Sequence, residues 1–152
     1  MKLKASIIFM IIITSTYFFQ SCENNNESNI SAHNLTESHN MGRNCMGCHK
    51  KKGPGKGWFN VAGTVYDSLK TTTISNATIK LYTGVNGTGT LKYTIDGDAN
   101  GNFYTTDAID FSTPLYPAVT GLEITKYMSI SITQGKCNGC HGDPTGPKIW
   151  TR

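Results

Sequence analysis

From position 58 the chain places apolar residues at every second position. Phe59, Val61, Gly63 and Val65 alternate with Asn60, Ala62, Thr64 and Tyr66, the pattern of a strand with one buried face. Ala77, Ile79 and Leu81 set against Thr78, Lys80 and Tyr82 predict a second strand. Leu91, Tyr93 and Ile95 predict a third, and residues 102–106 a short fourth. Residues 67–70, the Gly-rich 83–89 and 96–101 are turn sequences. Residues 114–120 read as an irregular edge piece, because Pro cannot donate to a ladder. Leu122, Ile124, Met128, Ile130 and Ile132 alternate with Glu123, Thr125, Tyr127, Ser129 and Ser131 in a long last strand. On that apolar face Met128 reads as core filling. Five or six strands, short turns and no helical period predict a mainly β fold. Its centre is a small antiparallel β-sandwich over residues 58–133.

The flanks carry no such period. Residues 39–57 and 134–152 read as two short irregular segments, and the Gly- and Pro-rich run after His49 cannot continue a helix. Residues 22–38 are polar and Asn-rich. Without apolar surface to offset the entropy of ordering, they read as a flexible linker. Such a coil spans roughly 20–25 Å.

Each irregular flank holds the same pattern. Cys45-Met46-Gly47-Cys48-His49 and Cys137-Asn138-Gly139-Cys140-His141 both read C-x-x-C-H, the attachment signature of c-type haem. The spacing has a chemical reason. Two thiols three positions apart can each add to one vinyl group of the same porphyrin, and the next residue then lies under the iron. A C-x-x-C pair alone also serves zinc and dithiol redox sites, and both remain as alternatives. With 4 His among 152 residues, a His falls at a given position about 2.6% of the time. Two chance placements directly after two such pairs are then a roughly one-in-a-thousand event. The flanks resemble multi-haem c-type cytochromes over residues 39–57 and 134–152. That resemblance implies two covalently bound haems c, held by Cys45, Cys48, Cys137 and Cys140, with His49 and His141 on the irons.

The sixth iron ligand is open. His39 and His33 are the remaining histidines and are the candidates; two bis-His irons would use up the histidine count. Met41 and Met46 are weaker candidates for the second haem. The lysines at 50–52 and 56 read as partners for haem propionates, as a dock for an acidic partner, or as a solvated rim. Asp96, Asp98 and Asn100, with Asp107 at the twelfth position, resemble a calcium loop. A hairpin turn rich in Asp, Asn and Gly explains the same residues.

The middle of the chain is similar to the carboxypeptidase-regulatory or transthyretin-like sandwich. Residues 61–67, 77–82 and 98–104 carry the likeness. Such domains serve mostly as scaffolds or binding modules, so the fold by itself implies no activity.

The first 21 residues read as an export signal, with Lys2 and Lys4 before an apolar run. Cys22 after Ser21 resembles the lipidated residue of a bacterial lipoprotein and accounts for the fifth, otherwise odd, cysteine. Removing the leader deletes two Lys and no acid, which leaves 12 Lys+Arg against 10 Asp+Glu. That balance offers no concentrated basic face for nucleic acid. The expectation is electron transfer by a lipid-anchored dihaem cytochrome in the cell envelope, exchanging electrons with redox proteins. Neither paired carboxylates nor a nucleophile–His arrangement points to an enzyme. The alternatives are two. One is a surface module binding a glycan or protein through Trp58, Tyr82, Tyr104 and Tyr127, with the haems as staples or redox sensors. The other is a small peroxidase or gas-binding protein with one open iron.

Overall fold

The computed structural model describes residues 26–144 and 146–152. The leader and Cys22 lie outside the described residues. Eight strands form two sheets. They are β1 (Val61–Tyr66), β2 (Thr78–Tyr82), β3 (Leu91–Asp96), β4 (Asn102–Thr105), β5 (Tyr116–Thr120), β6 (Thr125–Tyr127), β7 (Gly135–Lys136) and β8 (Ile149–Trp150). One sheet runs β3-β2-β5-β6, all antiparallel. The other runs β4-β1-β7, with β8 also on β1. The mainly β sandwich is as expected, and the core lies between the sheets. Val61, Val65 and Phe103 meet Ile79, Leu81, Ile95 and Val119 there, with Leu115 fully buried among them.

The pairing departs from simple antiparallel order at one edge. β7 and β8 run parallel to β1 on successive stretches: Val61 faces Gly135, and Val65 faces Ile149. Strands of two residues are too short to show a period. The second C-x-x-C-H segment therefore starts beside the first residues of β1, and the chain returns at β8 beside its last two.

β1 was expected to bury one face, but all six of its residues are buried. The outer face, Ala62, Thr64 and Tyr66, is covered by the flanking segments. The interior of the sheet is tight as well. A side chain at Gly63 would meet the Phe103 ring, and the Cys137 Cβ at 3.0 Å.

Two other strands differ from the pattern. The long last strand shrinks to Thr125–Tyr127, and Leu122 and Ile130 are 95% and 69% exposed. Residues 116–120, expected at an edge, form an interior strand between β2 and β6. Pro117 is tolerated because its carbonyl points toward β6, accepting from Met128 N–H at 2.9 Å. A strand residue's N–H and C=O point the same way. The missing donor therefore costs the Leu81–Pro117 pair on β2 nothing.

Residues 26–38 are a correction: from Asn26 on, the expected flexible linker is laid down on the sandwich. Asn26 accepts from Trp58 N–H and donates to the Trp58 carbonyl, both at 2.8 Å. Ser31 is 3% exposed. Its hydroxyl accepts from Tyr104 N–H at 2.8 Å, and its N–H donates to the Tyr104 carbonyl at 2.9 Å. Asn34 and Asn76 exchange two bonds of 2.9 and 3.0 Å. Apolar burial does not order this segment. Asn and Ser side chains do, by satisfying the open edge of β4. Ser31→Ala leaves Tyr104 N–H buried without its acceptor. We expect a loss of about 1–3 kcal/mol, read as a lower urea midpoint at unchanged slope.

Candidate functional site

The two C-x-x-C-H segments fold alike. The first opens with a 3-10 turn, Cys45–Gly47, and the second is a single helical turn, α1 (Asn138–His141). Cys48 N–H donates to the Cys45 carbonyl at 3.1 Å and His49 N–H to the same carbonyl at 2.9 Å. Cys140 and His141 repeat both bonds on the Cys137 carbonyl at the same distances. One turn therefore brings each thiol pair to one side, with the imidazole following.

The imidazoles are also fixed alike. His49 Nδ1 lies 3.0 Å from the Lys56 carbonyl, and His141 Nδ1 lies 2.7 Å from the Pro147 carbonyl. A carbonyl only accepts, so Nδ1 of the neutral ring carries the proton and Nε2 keeps its lone pair for a metal. The loop under His49 depends on Gly55, where a Cβ would lie 2.7 Å from the ring. Phe59 stacks on the His49 ring at 4.1 Å, and Tyr104 stacks on Phe59 at 4.8 Å.

A longer repeat explains the likeness and was missed in the sequence reading. Seven residues after each histidine stands Lys56 or Lys148, and nine after stands Trp58 or Trp150. These are the only 2 Trp of the chain, so the unit C-x-G-C-H-x6-K-x-W occurs over 45–58 and 137–150.

The segments occupy opposite faces of β1. Cys45 and Met46 pack on Phe59, Ala62 and Tyr104 outside the sheet. Cys137 packs against the core cluster inside. They are also tied directly together. Asp143 N–H donates to the Gly42 carbonyl at 3.0 Å, and Asn138 Nδ2 donates to the Arg43 carbonyl at 2.9 Å. Thr64, wholly buried, joins both. Its hydroxyl accepts from Gly42 N–H and Asn138 Nδ2, each at 2.9 Å, and donates to Asn102 Oδ1 at 2.7 Å. Thr64 N–H donates to Asn138 Oδ1 at 3.0 Å, so the Asn138 amide stands in for the ladder between β7 and β8.

Beside Cys137, Cys140 and His141 opens a cavity of about 540 Å³, within the range of small-molecule and cofactor sites. Its walls include Val61, Leu81, Phe103 and Ile132, and its lining also holds Lys126, Lys136 and Lys148. Lys126 Nζ lies 3.6 Å from the Trp150 ring centre and Lys148 Nζ 4.2 Å from that of Tyr66. The apolar walls and cationic side chains suit a flat apolar group that carries carboxylates.

The residues fit other chemistry less well. None of the four described cysteines is paired. Among the described residues no three or more His, Cys, Asp or Glu are grouped to hold a metal ion directly. The two thiol pairs thus do not converge as a zinc site requires. Burial, then repulsion from Cys45 and Cys140, pushes the Cys137 thiol up to about 12. Burial raises Cys45 too. Dithiol exchange needs the opposite shift, toward thiolate.

The remaining candidates are scattered. The His39 and His49 ring centres are 6.2 Å apart. His33 Nε2 lies 3.5 Å from Asp96 Oδ1 instead. Asp98 Oδ1 accepts from Asn100 N–H at 3.0 Å and Asn102 N–H at 2.9 Å, closing the β3–β4 turn. Asn100 turns its amide donor to the Thr36 and Ser38 carbonyls, and the Asp107 carbonyl accepts from Asn60. The geometry is that of an Asx turn, without a calcium cage around Asp96, Asp98, Asn100 and Asp107. Among the aromatics expected at the surface, Tyr104 is 7% exposed, so the four do not line one face. Met46 sits with the first thiol. Among the described residues no helix is long and apolar enough to cross a membrane.

Compared with known proteins, the chain matches no family model, no curated protein and no solved structure. The site stands on its own geometry. Asn138→Ala removes bonds to Thr64 and to the Arg43 carbonyl in a buried place. A loss of about 2–4 kcal/mol is expected, measured by denaturant unfolding beside Asn138→Asp, which keeps the acceptor and loses less.

Proposed function

We propose that the protein is an electron carrier, a dihaem c-type cytochrome, rather than an enzyme. One observation carries the reading: two C-x-x-C-H turns fold alike, and each holds its histidine by Nδ1 so that Nε2 is free. Cys45 and Cys48 would hold one haem, and Cys137 and Cys140 the other. Bound haem c would supply a one-electron Fe(III)/Fe(II) couple. The chain does the rest. His49 is braced by Phe59, and the His39 ring centre lies 6.2 Å from its own; His39 would be the second imidazole for a haem held there. The ties from Gly42 and Arg43 to Asp143 and Asn138 hold the two segments side by side, which suits exchange between two centres. Lys50, Lys51 and Lys52 are exposed beside the first segment and suit steering of an acidic redox partner. Cys22 would carry the lipid that keeps the protein at a membrane of the cell envelope. With residues 26–38 bound to the sandwich, only residues 22–25 separate that anchor from the fold.

In the surface-module alternative Tyr104 would not contribute, because it is 7% exposed and stacked on Phe59.

For protein made with haem-attachment machinery, denatured mass spectrometry is expected to show two haem additions, and absorption spectroscopy of the reduced protein to show c-type bands. The pair C45A/C48A and the pair C137A/C140A should each remove one addition. A wild-type mass lacking both additions would overturn the reading. In cell fractionation, Cys22→Ser is expected to move the protein from membrane to soluble fractions.

A further inference from the structure

We infer that the two irons are ligated unlike one another: His49 and His39 serve the first, and His141 and Met128 serve the second. The inference rests on the dihaem reading and concerns a residue expected to be mere core.

The histidines settle the first half of the argument by their number. The chain has 4. Two follow the thiols, His39 faces His49, and His33 is engaged by Asp96. Neither His33 nor His39 lines the cavity beside His141. A haem on Cys137 and Cys140 that fills this cavity would draw its sixth ligand from that lining.

Met128 is in it. The alternation that made Met128 core does not survive in the fold: Ile130 is exposed, and Met128 is half-buried and outside the core cluster. It directly follows β6, and its N–H is held by the Pro117 carbonyl at 2.9 Å. Its thioether is soft, flexible and needs no deprotonation to bind iron. The rivals in the lining are worse placed or worse suited. Lys126 and Lys148 lie over aromatic rings. Lys136 would have to give up a proton. Tyr127 packs its ring on Gly87, where a Cβ would come within 2.7 Å of it.

The consequence is a gradient. Exchanging an axial His for Met raises the potential of haem iron. The site inside the sheet is then the higher-potential one, and electrons run from the His39–His49 centre to the His141–Met128 centre.

The test uses full-length holoprotein. Oxidised wild type is expected to show the far-red sulfur-to-iron band. When reduced, it should show one strongly upfield-shifted methionine methyl in NMR. Met128→Leu should keep both haem additions and lose both signals. Met128→His should restore a low-spin iron without the sulfur signals and lower one of the two midpoint potentials. Signals that persist in Met128→Leu overturn the assignment. So does a reduced wild type that binds carbon monoxide at one haem, the mark of an open iron. A protein with no haem additions fails the dihaem reading itself, a separate result.

Discussion

The placing of both C-x-x-C-H segments depends on how β1 satisfies its backbone once β4 has taken one edge. β7 pairs at Val61 and Ala62 and β8 at Val65 and Tyr66, which leaves a gap at Thr64. The Asn138 amide fills it, taking Thr64 N–H and donating to the Thr64 hydroxyl. Because Asn138 lies between Cys137 and Gly139, closing the ladder also fixes the second thiol pair in space. Because the same amide reaches the Arg43 carbonyl, it fixes the first segment too. A buried unpaired N–H costs about 1–3 kcal/mol. The position of both segments is therefore enforced by the sheet.

The strands β1 to β4 were readable from sequence: β1 to β3 carry an apolar residue at every second position, although β1 proves buried on both faces because the flanking segments cover its outer side. The thiols and their histidines were readable from spacing. Three things were not. β7 and β8 are too short to carry a period. The long alternation at 122–132 obeys the rule but is a continuous strand only over Thr125–Tyr127; beyond it the chain touches the sheet at Met128 and Ile132, and Ile130 between them faces water. The N-terminal segment is ordered by Asn and Ser side chains acting on backbone groups, and a composition argument that counts apolar surface alone does not see them. The Lys and Trp spacing after each histidine was plain in the residues and would have predicted that the two turns fold alike.

The twofold use of one motif does not make two equal sites. The turns share the two bonds onto the first Cys carbonyl and a carbonyl on Nδ1, supplied seven residues on in the first and six in the second. What differs is the face of β1 that each meets. Side chains alternate across a strand, so Ala62 and Val61 look opposite ways. The first segment meets Phe59 and Tyr104 on a surface otherwise bounded by polar chain. The second meets the sandwich interior and a cavity walled by the core.

That difference decides what each site can recruit. On the outer face the neighbours come from the N-terminal flank, polar and mobile in composition but pinned by hydrogen bonds, and they include a histidine. On the inner face the neighbours come from the second sheet, where packing selects apolar residues. The lining there is mixed: apolar walls from Val61, Leu81, Phe103 and Ile132 stand beside Lys126, Lys136 and Lys148. Two similar C-x-x-C-H turns on opposite faces of one strand thus acquire different surroundings from the sheet alone.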